Sequence, residues 1–202
     1  GMLYLFAAPQ ANIENVAKGQ LLAAHLSNRA FNQLRTEEQL GYAAGGFATQ
    51  LGDHPMVGFY IQTPVKAPVA MLERFDRYRV EFASDLEALD SAEFDRIKAG
   101  VLTDLTQPPK NLAEEAGPFL MDWNRERYNF DTRTRLIAAV EQVTLKAVQD
   151  YYAETVMVEA PSRVLVQLKG SAFADEPFAT IEGATVVENV SMFHEAMPLQ
   201  AR

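Results

Sequence analysis

The strongest constraint on the fold is a change in the spacing of apolar residues between positions 56 and 89. Val57, Phe59 and Ile61 alternate with residues of the opposite face, which is the pattern of a β-strand. After residue 68 the apolar side chains recur every three or four positions, which is the spacing of one face of an α-helix. The residues of this stripe are Leu72, Phe75, Tyr78, Phe82, Leu86 and Leu89. The chain is therefore predicted to combine a β-sheet with a long helix.

Three more strands are predicted from short apolar runs. The segment "LYLF" at 3–6 ends just before Pro9. Residues 41–51 and 56–64 form a predicted antiparallel hairpin, which the polar turn "GDHP" connects. The glycines of "GYAAGG" are predicted to permit a close approach or a bulge within this strand rather than to bind phosphate. The segment "RVLVQL" at 163–168 returns to strand composition.

Polar caps mark the beginnings of the helices. The first helix is predicted to run toward Gln39, and the stop "QPPK" at 107–110 ends a later one. Two of the caps are followed three residues later by a glutamate, Glu93 or Glu114, which forms a capping box. The predicted N-cap residues are Asn12, Asp90, Asn111, Asp131 and Thr144.

The order of these elements is strand, helix, two strands, a run of helices and a strand. This order predicts an α+β fold: a mainly antiparallel sheet with helices packed on one face, or α/β sandwich. Residues 1–202 are predicted to form one domain, with 170–202 as a packed C-terminal extension. Its apolar segments "TVV" and "MF" favour packing over a free linker.

Composition and charge exclude several functions. The chain has 27 acidic and 18 basic residues, a net charge of −9, and no clustered basic face, so we expect no nucleic-acid partner. The absence of cysteine excludes disulfides and thiolate chemistry. No apolar run reaches the ~20 residues of a membrane span, and no secretion signal is recognisable. Gly1 before Met2 resembles an expression-tag scar, which suggests a piece excised from a longer protein.

The chain contains no recognisable metal or nucleophile motif. Its three histidines, His25, His54 and His194, lie far apart, and neither H-E-x-x-H nor H-x-x-E-H occurs. A zinc-binding helix needs two histidines about one turn apart. Each histidine is therefore expected to be a surface or packed residue, and no metal or cofactor is expected in this chain. A G-x-S-x-G elbow is also missing.

The stretch "FNQLRTEEQLGY" at 31–42 holds the candidate site residues. At helical spacing Phe31, Leu34, Arg35 and Glu38 share one face, and Gly41 then ends the helix before Tyr42. Arginine and tyrosine are donors suited to gripping a carbonyl or a carboxylate. The same pattern also fits an Arg35–Glu38 surface ion pair beside an aromatic core residue. Spacing alone leaves both interpretations open.

This stretch closely resembles the C-terminal half of the pitrilysin and insulin-degrading-enzyme-like zinc peptidases, the inverzincins. The resemblance continues through nearly the whole chain, and its last block is similar to the extreme C-terminus of bacterial pitrilysins. The further matching blocks are "GFYIQT", "LTQPPKNLAEEA", "YNFDTRTRLIAAVEQVT" and "VVENVSMFHEAMPL". The family is built from four related α+β domains in two halves that close on a peptide chamber.

The resemblance implies a division of labour. The zinc site of the family, with its H-x-x-E-H helix, lies in the N-terminal half, which would be the partner of this chain in one polypeptide. Arg35 and Tyr42 match the residues that hold the substrate backbone from across the chamber. Phe31 matches the aromatic residue beside the pocket for the residue after the cut. The resemblance thus implies accessory catalytic roles for Arg35 and Tyr42 and substrate binding by all three residues.

Three functions follow as expectations. The first is the C-terminal domain of a zinc endopeptidase that acts on peptides, inactive alone and free of stoichiometric zinc. The second is the same domain of a peptidase that processes the precursor peptide of pyrroloquinoline quinone. The third is a stand-alone, non-catalytic peptide-binding or scaffold module. By family resemblance the compartment is the periplasm, or the cytoplasm if the second expectation holds.

Overall fold

A computed structural model describes residues 1–191 of the chain. Its sheet has four strands in the order β2-β3-β1-β4, and all neighbouring strands are antiparallel. Tyr4 in the inner strand lies opposite Phe59 on one side and Leu165 on the other. The strands are β1 Met2–Ala7, β2 Ala43–Leu51, β3 His54–Gln62 and β4 Arg163–Gln167. The predicted strands and the hairpin are confirmed, with Gly52 in its turn at φ +59°.

Six α-helices complete the described fold. Asn12, Asp90, Asn111 and Thr144 accept a hydrogen bond from the backbone N–H three residues later, as predicted. The helices are α1 Ile13–Ala30, α2 Pro68–Glu87, α3 Ser91–Thr106, α4 Leu112–Asn124, α5 Thr132–Gln142 and α6 Leu145–Tyr152. The α+β class is thereby confirmed.

The capping prediction for Asp131 is wrong in its chemistry. Asp131 precedes α5, but its side chain caps no backbone N–H of that helix. The carboxylate of Asp122, at the end of α4, accepts the bond from the Thr132 N–H at 3.3 Å. Asp131 instead lies 3.8 Å from Arg135 one turn further along. A side chain of the preceding helix therefore accepts the hydrogen bond from the first backbone N–H of α5.

The core lies between the sheet and the helices on one of its faces. The Phe59 ring lies 5.6 Å from Phe75 and 5.5 Å from Tyr78, so the stripe of α2 predicted from sequence packs against β3. Helix α1 packs on β2 and β3. A Cβ atom on Gly46 would lie 2.3 Å from Leu26 Cγ, which explains why β2 carries glycine there. The predicted close approach of the glycine-rich strand is confirmed.

An exposed aromatic cluster lies on α4 and the loop after it. The ring of Trp123 stacks near that of Phe130 at 6.5 Å and meets Tyr128 edge-on at 5.8 Å. Phe119 lies 6.4 Å from Phe130. Trp123 is 61% exposed, so this cluster is a surface rather than a part of the core.

The C-terminal extension is described only in part. Gln167 and Ala179 exchange two hydrogen bonds, and Ala179 is buried. Residues 192–202 lie outside the described residues, and they include "MF" and His194. The single domain and the packing of 170–202 therefore remain predictions. None of the described helices has the length and apolarity needed to cross a bilayer.

Candidate functional site

The site begins where α1 changes its hydrogen-bonding pattern. The sequence predicts one helix toward Gln39, but the α-helix ends at Ala30 and continues as a π-helical segment over Phe31–Glu37. In this wider turn the Glu38 N–H bonds to the Gln33 carbonyl five residues back, at 2.9 Å. Gln39 then takes a positive φ of 52°, which ends the helix. Such π segments often occur at functional sites.

Gly41 allows the chain to turn sharply into β2. A Cβ atom at this position would lie 2.0 Å from the carbonyl oxygen of Gln62, at the end of β3. Because no other residue fits so close to that backbone, glycine is required at this contact. The turn therefore delivers Tyr42 directly beside the helix end.

The three residues predicted from sequence lie together. The guanidinium carbon of Arg35 lies 4.5 Å from the centre of the Phe31 ring and 5.4 Å from that of Tyr42. The Arg35 Nε also donates to the Tyr42 carbonyl at 3.0 Å. Both ring contacts are cation–π distances. We call Phe31, Arg35 and Tyr42 the aromatic–arginine cluster.

The aromatic–arginine cluster faces solvent. Tyr42 is 84% exposed and Phe31 is 41% exposed. The terminal nitrogens of Arg35 and the hydroxyl of Tyr42 have no hydrogen-bond partner within residues 1–191. Both groups are hydrogen-bond donors, and the bond from Arg35 to the Tyr42 carbonyl holds the two residues together. Such donors are suited to bind carbonyl or carboxylate oxygens.

The alternative of an Arg35–Glu38 ion pair is wrong. Glu38 instead accepts two hydrogen bonds from Arg74 of α2, one of them from Nε at 2.8 Å. Leu34 is fully buried, so it does not share a face with Phe31 and Arg35 as helical spacing predicted. The wider turn separates these side chains, with Phe31 and Arg35 outward and Leu34 inward.

The Arg74–Glu38 pair fastens the helix end to α2. Arg74 is only 5% exposed and also bonds to Glu81 at 2.9 Å, whose carboxylate accepts from the Gln33 amide at 2.7 Å. The hydrogen bonds that Arg74 donates to Glu38 lower the pKa of the Glu38 carboxyl and raise the pKa of the Arg74 guanidinium. We call these four residues the Arg74 clamp. Sequence reasoning missed it because its two halves lie 36 residues apart.

The described residues do not fit a zinc ion. His25 lies 3.1 Å from a carboxylate oxygen of Asp85, and His54 lies 3.0 Å from the carbonyl of Ala8. Burial is the main cause that lowers the pKa of His25. No group of three potential ligands occurs among residues 1–191.

Comparisons with known proteins identify the family. The family model "PQQ synthase PqqF-like, C-terminal lobe domain 4" matches residues 21–120. The crystal structure of pitrilysin superposes with a TM-score of 0.86 at 31% identity, covering 99% of this chain and 22% of that chain. The chain belongs to the pitrilysin family. Its fold is thus a pitrilysin-type peptidase domain.

Curated relatives of this pitrilysin-family domain are much longer proteins. Protease 3 of Escherichia coli (strain K12) is 33% identical over 85% of this chain, which spans 18% of that protein. The insulin-degrading enzyme of Homo sapiens is 25% identical over 80% of this chain, which spans 16% of that protein. The resemblance predicted from "FNQLRTEEQLGY" is confirmed. The pitrilysin-family domain described here is therefore equivalent to about one fifth of such relatives.

Proposed function

We propose that this chain is the C-terminal, non-zinc-binding domain of a zinc-dependent endopeptidase. It would close a peptide chamber opposite the zinc site and contact the substrate with the aromatic–arginine cluster. The observation that carries the proposal is the half-buried guanidinium of Arg35, which lies close to two exposed rings and is bonded to the backbone of Tyr42. The family membership supports the reaction class, and the short span relative to the relatives supports a separate zinc-carrying half.

Each residue of the cluster has a proposed task. The terminal N–H groups of Arg35 donate to a backbone carbonyl of the bound peptide, and the Tyr42 hydroxyl donates to an oxygen nearby. The Phe31 ring packs against the side chain that follows the cleaved bond. Because Arg35 is already bonded and stacked, little conformational entropy is lost when it binds the peptide. Residues of the other half of the parent would hold the zinc ion, which would supply metal-assisted peptide hydrolysis.

A second candidate has its own support. The family model that matches residues 21–120 is named for a PqqF-like synthase, which favours the processing of a pyrroloquinoline quinone precursor peptide. The same cluster would then hold that precursor. The neighbouring genes separate the two substrates, and the length of the natural reading frame separates both from a stand-alone scaffold. The periplasm is the compartment proposed for the first candidate and the cytoplasm for the second.

The test uses the full-length parent with single substitutions in this domain. We expect Arg35→Ala and Tyr42→Phe each to lower kcat/KM for a peptide by about tenfold or more, because each removes a donor to the substrate. Zinc content, measured by atomic emission, should stay at the wild-type value. Arg96→Ala is the matched control, since Arg96 is an exposed arginine of α3 with one local ion pair.

Two outcomes would contradict the proposal. One is wild-type turnover in both Arg35→Ala and Tyr42→Phe. The other is zinc-dependent peptide cleavage by the 202-residue chain alone, since the proposal assigns the metal to another part of the parent.

A further inference from the structure

A cavity is lined by Tyr42 but not by Arg35. Its volume is about 560 Å³, within the range of small-ligand sites. Tyr42 forms one wall, the loop between β3 and α2 another, and the segment after β4 the third. The residues that line it include Tyr42, Thr63, Lys66, Lys169, Ser171 and Phe173. We call this space the Tyr42 cavity.

The charge of the Tyr42 cavity differs from that of the chain. Its lining includes Lys66 and Lys169 and no aspartate or glutamate, although acidic residues outnumber basic ones 27 to 18 overall. Pro64, Pro68 and Met71 supply apolar surface beside the two lysines. Cations beside a partly apolar wall attract anions more strongly than they do in open water.

The two lysines contribute in different ways. Lys169 donates to the carbonyls of Ala174 at 3.0 Å and Glu176 at 2.7 Å, and its ammonium lies 4.4 Å from the centre of the Phe178 ring. Carbonyl oxygens satisfy its donors but leave its positive charge uncancelled. This lysine is a fixed source of positive potential.

Lys66 is the lysine that remains available. It forms no hydrogen bond or ion pair within the described part of the chain, and it is only half-buried. Its charge is one of the smaller causes that lower the pKa of Glu38, whose carboxylate is already held by Arg74. Lys66 can therefore reach a ligand without breaking a bond within residues 1–191.

We propose that the Tyr42 cavity binds a carboxylate of the peptide substrate, with Lys66 as its direct partner. This inference rests on the proposed function, because Tyr42 marks where the peptide runs. The carboxylate is either an aspartate or glutamate side chain or the C-terminus of the peptide. Both present the same two oxygens to an ammonium group. The site thereby makes the domain selective for acidic peptides or for peptide ends.

The test is an NMR titration of the 202-residue chain, labelled with ¹⁵N, with three capped tripeptides. N-acetyl-Ala-Glu-Ala-amide carries a side-chain carboxylate, and N-acetyl-Ala-Gln-Ala with a free C-terminus carries a terminal one. N-acetyl-Ala-Gln-Ala-amide carries neither. We expect at least one carboxylate peptide to bind about fivefold more tightly than the neutral one, as seen at the amides of Thr63, Lys66 and Ser171.

Two variants make the result specific to the cavity. Lys66→Met keeps much of the apolar stem and should remove the preference for carboxylate peptides. Lys110→Met is the control, because Lys110 is exposed and does not line the Tyr42 cavity. The difference between the two carboxylate peptides identifies which source the site prefers.

Three results would overturn the inference: equal affinity for all three peptides, no saturable shift at these amides at millimolar concentration, or an unchanged preference in Lys66→Met. The readout is independent of catalysis. A carboxylate preference that depends on Lys66, together with unaffected turnover in Arg35→Ala and Tyr42→Phe, would reject the proposed function while keeping the anion site. The reverse pattern would reject the anion site alone.

Discussion

Arg35 lies between the rings of Phe31 and Tyr42 because the helix widens before it ends. These three residues could be predicted from sequence, since they stand within twelve positions of one another and resemble a known family motif. The Glu38–Arg74 pair could not, because opposite charges 36 positions apart have many other candidate partners. Local spacing therefore predicted the aromatic–arginine cluster, whereas the Glu38–Arg74 pair became visible only in the folded structure.

Gly46 illustrates how one missing methyl group sets the distance between helix and sheet. We expect Gly46→Ala to lower the free energy of unfolding by about 2 kcal/mol, because its Cβ would lie 2.3 Å from Leu26 Cγ. Urea denaturation measures this change. Gly100→Ala in α3 is the matched control, since a Cβ there meets nothing within 4 Å and should stabilise by up to about 1 kcal/mol. Equal stabilities of the two variants would contradict the packing argument.

Glu38 makes the stability of the folded chain depend on pH. Arg74 lowers the pKa of this carboxyl below its ordinary value of 4.5, so the unfolded chain binds its proton first as the pH falls. The stabilisation is therefore complete above that ordinary value and is lost as the pH falls through the folded pKa. We expect Glu38→Gln to cost about 1 kcal/mol near neutral pH and progressively less in acid.

The measurement for Glu38 is urea denaturation of the wild type and the variant across this pH range. Glu73→Gln serves as control, because Glu73 is exposed on α2 and forms no ion pair within the described residues. A Glu38→Gln deficit that stays constant with pH would show that the pair with Arg74 does not contribute through ionisation.

At the scale of elements, the helical segment that continues α1 is joined to α2 by the Arg74 clamp. Apolar spacing predicted both helices, because a stripe along one face repeats over several turns. It also predicted that the helix runs toward Gln39, but it missed the change to π-helical bonding after Ala30, since a shift from four-residue to five-residue hydrogen bonding changes the spacing little over two turns. The end of the helical segment is defined by Gln39, by Gly41 and by the Arg74 clamp.

Arg74 should control both stability and the site while touching no substrate. We expect Arg74→Met to lower the free energy of unfolding by about 2 kcal/mol, because Glu38 and Glu81 would lose a nearly buried partner. In the parent we expect a lower kcat/KM, because the turn that carries Arg35 and Tyr42 loosens. Arg77→Met on the same helix is the control, since Arg77 is exposed and should change stability by less than about 0.5 kcal/mol.

A separate signal distinguishes loosening from general damage. In the wild type the side-chain protons of Arg35 lie against two aromatic rings, so ring currents shift their NMR resonances. Arg74→Met should move these resonances toward ordinary arginine values while the core methyl resonances stay in place. Unchanged Arg35 resonances would show that the clamp does not position the site.

At the scale of the whole molecule, one sheet with helices on one face could be predicted from sequence. The reason is that apolar residues recur with clearly different periods in the hairpin and in α2. The position at which α5 starts was predicted, but its capping side chain could not be, since Asp122 belongs to a neighbouring helix. The chain also shows two separate surfaces: the turn with the aromatic–arginine cluster and the Tyr42 cavity, and the aromatic cluster of α4.

The aromatic cluster of α4 contains an intrinsic fluorophore. Trp123 is the single tryptophan of the chain, so all indole fluorescence originates on α4. An indole that is 61% exposed emits at the long wavelengths typical of a hydrated ring. Any domain that covers α4 would exclude water and move the emission to shorter wavelengths. Docking at this surface would thus be visible without a dye, whereas the peptide binding proposed for Arg35 should leave the same emission unchanged.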